Sequence, residues 1–165
     1  MLTLGVDPGI ANLGFGLVLG DVDPVLVEFG CLVTESAAST GKRLLTLHTG
    51  IEKLLESHEV TDIAIEQTLY GRNVSTATSV AQASGVVMLS AARRGIEVTE
   101  YSPPQIKNAV TGIGNADKYH VQEMVKVILK LAAPPQPHHA ADALAAAICH
   151  LHNHRVVSRL AASRR

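Results

Sequence analysis

The chain has 165 residues, 47% of them hydrophobic and 18% charged, which is the size and make-up of one globular domain with a real core. No stretch approaches the ~18–20 consecutive apolar residues of a membrane span, and the apolar N-terminal run has no basic flank and is broken by Asp7 and Gly9, so it does not read as a signal peptide. A formal net charge of −1 argues against a uniformly basic polyanion binder, although Arg93, Arg94, Lys107, Lys118 and four arginines without an acid between Arg155 and Arg165 leave room for a local basic surface. Cys31 and Cys149 lack metal-binding or redox spacing and are expected to be buried reduced thiols of a cytoplasmic protein.

In chain order, Leu2–Asp7, Leu13–Leu19 and Val25–Val33 are short apolar runs separated by turn-forming residues, which predicts an antiparallel meander. The period then changes. Leu44, Leu47, Ile51, Leu54 and Leu55 fall on one face of a helix over Lys42–Ser57. Thr61–Glu66 is the next strand, and Ser75–Arg93 a helix rich in small residues, with Gly85 inside it, able to pack closely in the core or against a second copy of the chain. Ile96–Tyr101 is a further strand. Ser102, Pro103 and Gln105 spell an N-cap, a first-turn proline and a capping-box glutamine, opening a helix to about Val110. After a flexible loop at Gly112–Ala116, Lys118–Leu131 carries Val121, Met124, Val125, Ile128 and Leu129 on one face. Prolines 134, 135 and 137 interrupt the helical pattern, which resumes over His139–His152. The order βββαβαβααα predicts an α/β fold with a five-stranded mixed sheet and helices on both faces, one domain over 1–154 followed by a basic tail over 155–165.

Two strands end in a carboxylate, Asp7 and Glu66, and a third acid, Asp142, stands three residues after His139 in a helix. Side chains at i and i+3 share a helical face. Three carboxylates brought together from distant segments repel one another unless a cation lies between them, so the pattern points to a divalent-metal site for phosphoryl chemistry. His138 competes with His139, because i to i+4 spacing with Asp142 also shares a face.

The motifs Gly5-Val6-Asp7-Pro8-Gly9, Ala64-Ile65-Glu66-Gln67, Lys107–Gly112, Gly114–Lys118 and Ala140–Ala145 stand in an order and spacing that resembles the RuvC family of crossover-junction endodeoxyribonucleases, within the ribonuclease-H-like superfamily. The resemblance runs from Met1 to about His154. It implies Asp7, Glu66, His139 and Asp142 as catalytic ligands of two Mg²⁺ or Mn²⁺ ions, with Lys107 and Lys118 beside the scissile phosphate and Lys118 assigned to transition-state charge. It also implies paired symmetric nicks in four-way (Holliday) junction DNA, with 5′-phosphate and 3′-hydroxyl ends, by a homodimer that works beside the RuvA and RuvB branch-migration complex in recombination and repair. The Ser75–Arg93 helix is the candidate interface. Many family members carry aspartate where His139 stands, and neutral imidazole suits Mn²⁺ better than Mg²⁺. An aromatic is common in the family where Leu69 stands here, followed by Tyr70. These two, with Arg72 and Asn73, are the expected DNA contacts on that loop. Two alternatives keep the same scaffold: a ribonuclease-H-like nuclease for another nucleic acid, or a junction-binding protein without cleavage. The Asp7–Gly14 segment also looks like the phosphate loop of two-lobed ATP-dependent phosphotransferases, but this chain supplies one lobe.

Overall fold

The computed structural model describes residues 1–20, 23–67 and 74–162, with side chains given through residue 154 except for positions 74–76. Five strands, β1 (Leu2–Asp7), β2 (Asn12–Leu19), β3 (Val25–Val33), β4 (Asp62–Glu66) and β5 (Glu97–Tyr101), form one sheet in the order β3-β2-β1-β4-β5. β1–β2 and β2–β3 pair antiparallel, and β1–β4 and β4–β5 pair parallel. The antiparallel meander that the spacing predicts is thus extended by two parallel strands into the expected mixed sheet. The helices are α1 (Thr40–Ser57), α2 (Val74–Ala92), α3 (Pro103–Thr111), α4 (Lys118–Ile128) and α5 (His138–Ala162). α4 stops three residues before the expected Leu131: Leu129 caps it, and Lys130 turns into positive φ at 54°. α5 continues ten residues beyond the expected His152.

Two apolar layers sandwich the sheet. On one side Leu4, Val6, Ile63 and Ile65 pack with Leu47 and Ile51 of α1 and Ala83 and Val87 of α2. On the other side Val18, Ala64 and Tyr101 pack with Ile106, Val110, Val121, Val125 and the alanine-rich α5. Alternation along each strand separates the two sets. The α5 face is lined by glycines. A Cβ on Gly5 would stand 1.9 Å from the Ala143 carbonyl oxygen, and one on Gly14 would stand 2.0 Å from that of His139. Gly16 sits opposite Gly5 and meets Leu144. A helix can therefore lie almost on the sheet backbone, which brings its first turn to the carboxyl end of β1.

Local hydrogen bonds fix the segments around that end. The Thr34 hydroxyl donates to the Ile10 carbonyl at 2.6 Å and accepts from Arg43 Nε at 2.8 Å, tying the β1–β2 turn to α1. The Gln67 N–H donates to the Tyr101 carbonyl at 2.8 Å, so the β4–β5 ladder runs past Glu66 and holds its backbone. The Ser102 N–H donates to Gln105 Oε1 at 2.9 Å, the reach-back bond expected of the capping-box glutamine.

Candidate active site

Parallel pairing of β1 with β4, in the register Val6↔Ile65, sets Asp7 and Glu66 side by side at the same end of the sheet. The glycine-lined approach of α5 adds His139 and Asp142. From the far wall come Lys107 of α3 and Lys118, the first residue of α4. Asp117 caps α4 by accepting from the His120 N–H at 2.8 Å, which directs the start of that helix. Asp7, Glu66, Lys107, Lys118, His139 and Asp142 line one cavity of about 220 Å³, with Pro103, Ile106 and Val121 as its apolar walls. The three wall residues carry no chemical signature in the sequence and emerge only from the packing of α3 and α4. A larger cleft of about 720 Å³ lies between β3 and α1, with an apolar lining that includes Phe15, Leu32 and Leu45. Size alone would favour that cleft, but it gathers no group of acids, and the chemistry lies in the smaller one.

The electrostatics of the small cavity are those of crowded anions. Burial, then repulsion from Asp7 and Asp142, pushes the Glu66 carboxyl from its ordinary 4.5 to about 7, with Lys118 and Lys107 pulling the other way. Burial, then Asp7, raises Asp142, opposed by Lys118, His139 and His138. His139 Nδ1 and Asp7 Oδ2 are 2.6 Å apart. The competing His138 turns away: Gln122 Nε2 donates to its Nδ1 at 2.8 Å. The structure thus brings His139 rather than His138 into the cavity. Leu69, Tyr70, Arg72 and Asn73 lie outside the described residues. Cys149 is buried and free, its thiol pushed up to about 12 by burial, whereas Cys31 is only partly buried.

Three carboxylates and an imidazole fit a hard divalent cation that accepts oxygen ligands and one nitrogen. A cation between them would relieve the repulsion that raises Glu66 and Asp142. The donors are gathered but not closed around one point: among the described residues no group of three or more His, Cys, Asp or Glu side chains stands at ion-holding distances.

Comparison with known proteins places this geometry. The family described as "Crossover junction endodeoxyribonuclease RuvC" matches residues 3–150. A crossover junction endodeoxyribonuclease RuvC from Roseiflexus sp. (strain RS-1) is 45% identical over 160 residues, covering 96% of this chain and 95% of that protein. The protein of the same name from Thermomicrobium roseum is 45% identical over 150 residues, covering 91% and 92%. Among solved structures, Thermus thermophilus RuvC superimposes with a TM-score of 0.87 at 33% identity, and its complex with a Holliday junction substrate with 0.90 at 34%; each covers 94% of this chain and 96% of the other. The yeast mitochondrial Holliday junction resolvase Ydc2, at 14% identity and a TM-score of 0.63, shares the fold. The ribonuclease-H-like sheet, the helices on both its faces and these relatives agree, and the chain belongs to the RuvC family of crossover junction endodeoxyribonucleases.

Proposed function

We propose that this chain resolves four-way DNA junctions by paired, symmetric hydrolytic nicks that leave 5′-phosphate and 3′-hydroxyl ends. The observation that carries the reading is the meeting of Asp7, Glu66, His139 and Asp142 with two lysines in one cavity. Asp7, Glu66, His139 and Asp142 would hold two divalent cations, Mg²⁺ or Mn²⁺. Cations bound there supply Lewis acidity and an activated water for in-line displacement at phosphorus. Lys118 faces both raised carboxyls and is placed to offset charge that develops on the phosphoryl oxygens. Lys107, one helix away, positions the phosphate. Ile106, Val121 and Pro103 keep the cavity wall dry, which strengthens each of these interactions.

A junction has two-fold symmetry, and a two-fold dimer presents two copies of one site about the same axis. The exposed stripe Ala81, Gly85 and Leu89 on α2 supports that helix as the dimer contact: Leu89 is 57% exposed and a Cβ on Gly85 would meet open space. Leu69, Tyr70, Arg72 and Asn73 are assigned to DNA at the crossover, and the basic segment 155–165, which continues α5 as far as Ala162, to a C-terminal extension of the domain. Cooperation with the RuvA and RuvB branch-migration complex and a cytoplasmic location complete the proposal. Among the described residues no helix is long and apolar enough to cross a membrane.

The test is a competition among a mobile synthetic four-way junction, linear duplex and RNA–DNA hybrid, with Mg²⁺ or Mn²⁺. Paired nicks at symmetric positions of the junction support the proposal. Preferential cutting of the hybrid would assign the site to another ribonuclease-H-like activity, and tight junction binding with no cleavage in either metal would make the protein a binder only.

A further inference from the structure

At the end of the sheet opposite the catalytic cavity, a second set of His, Asp and Glu side chains gathers beside α5 and, like the catalytic set, is not closed around one point. Thr3, Asp62 and Glu97 form one row across β1, β4 and β5. Alternation places this row on the α5 face, as Gly5 contacts Ala143 and Ala64 packs with α5 two residues further along. Above the row, His150 and His154 stand one helical turn apart, with ring centroids 6.4 Å from each other. Asp62, His154 and Glu97 are all near enough to act on the His150 charge.

Two buried polar groups on this face lack hydrogen-bond partners. His150 is 7% exposed, and its Nε2 is buried with no hydrogen-bond partner; the Thr3 hydroxyl in the same row is buried and equally unpartnered. Such groups carry a desolvation cost unless something meets them. The other His150 nitrogen, Nδ1, lies 3.1 Å from the Tyr101 hydroxyl. A ligating histidine is ordinarily oriented in this way, with its second nitrogen donating to an outer partner.

The nearest partner of Nε2 is Asp62 Oδ1, at 3.7 Å. That is too long for a hydrogen bond. It is close to the separation of about 3.4 Å between two donors on a tetrahedral ion with bonds of 2.0–2.2 Å. We propose that His150, His154, Asp62 and Glu97 form a second, non-catalytic site for a borderline-soft divalent cation of the Zn²⁺ class, which pins α5 to the first residues of β4 and β5. Two imidazoles and two carboxylates suit that class better than Mg²⁺, which prefers oxygen alone. His154 and Glu97 are exposed, which leaves both free to turn and close the set. The site lies on the far side of the sheet end from Asp7, so its occupancy reports on the fold rather than on phosphodiester chemistry.

The experiment uses the full chain carrying Asp7→Asn, Glu66→Gln and Asp142→Asn, so that the catalytic cavity no longer competes for metal. Co²⁺ is titrated as a spectroscopic stand-in for Zn²⁺, and thermal unfolding is followed with and without Zn²⁺. Visible bands of tetrahedral Co²⁺ that saturate at one equivalent, and a Zn²⁺-induced rise in the unfolding midpoint, are expected. Both should vanish on adding His154→Ala, an exposed position whose change leaves the core intact, and on adding Asp62→Asn. Octahedral Co²⁺ spectra only, no midpoint rise, or bands that persist in the His154→Ala variant would overturn the proposal and leave the Asp62–His150 gap to a bridging water.

Discussion

Glu66→Gln separates the catalytic value of the acidic cavity from its structural cost. In the metal-free protein the Glu66 carboxyl ionises near 7 instead of its ordinary 4.5, chiefly because it is buried and secondly because Asp7 and Asp142 repel it. A group whose native value is raised contributes stability that is full below the unfolded value and is lost as pH rises through the native one. At about 1.4 kcal/mol per tenfold change, the native state loses about 3 kcal/mol between pH 4.5 and 8, or about 2–3 after allowance for partial solvent screening. Glutamine keeps the shape and cannot ionise. In EDTA at pH 8 the variant should therefore melt about 5–10 °C above the parent, taking about 2–4 °C per kcal/mol for a chain of this size. At pH 5 most of that gap should close, because the parent then keeps its proton when folded. Added Mn²⁺ should reverse the order, stabilising the parent more than the variant, while junction cleavage by the variant is lost. Calorimetry or circular dichroism melts at the two pH values decide it. Equal midpoints in EDTA at pH 8, or an undiminished gap at pH 5, would refute the argument that crowded, buried carboxyls destabilise this site.

Three further perturbations probe other parts of the same construction. His139→Asp replaces an imidazole with a hard oxygen donor, so the ratio of cleavage in Mg²⁺ to that in Mn²⁺, at matched subsaturating metal, should rise above the parent's; an unchanged ratio would remove His139 as the source of a Mn²⁺ bias. Gly14→Ala drives a methyl into the His139 backbone, 2.0 Å from its carbonyl oxygen, and should cost about 3 kcal/mol or more and misplace the α5 end of the cavity, seen as a lowered melt together with weakened metal binding. Lys118→Met should lower the single-turnover cleavage rate by about 10²–10³-fold while junction affinity changes little; a loss confined to affinity would reassign Lys118 to phosphate positioning.

Much of this construction is legible from residue order. The period change after Val33, the capping box at Ser102 and the prolines before His138 all predict elements that form. Strand ends at Asp7 and Glu66 and the i, i+3 pair of His139 and Asp142 are visible one by one. What brings them together is less visible. The close seat of α5 depends on Gly5, Gly14 and Gly16, whose period-two spacing on β2 and cross-strand partnership with β1 is a signal that a search for alternation among small residues would have found. The choice of His139 over His138 is made by Gln122, a buried polar residue on α4 that holds the latter. Helical periodicity cannot reveal such a long-range bond. The continuation of α5 to Ala162 was obscured because charged residues along 155–165 look like a solvated terminus while retaining helix-compatible spacing.

The most direct measurement is a crystal structure of the protein soaked with Mn²⁺, read by anomalous scattering. Manganese is expected within about 2.0–2.6 Å of carboxylate oxygens from Asp7, Glu66 and Asp142, with the His139 ring turned onto one ion. Manganese bound elsewhere, with the cavity between β1, β4 and α5 showing no anomalous signal at saturating metal, would contradict it.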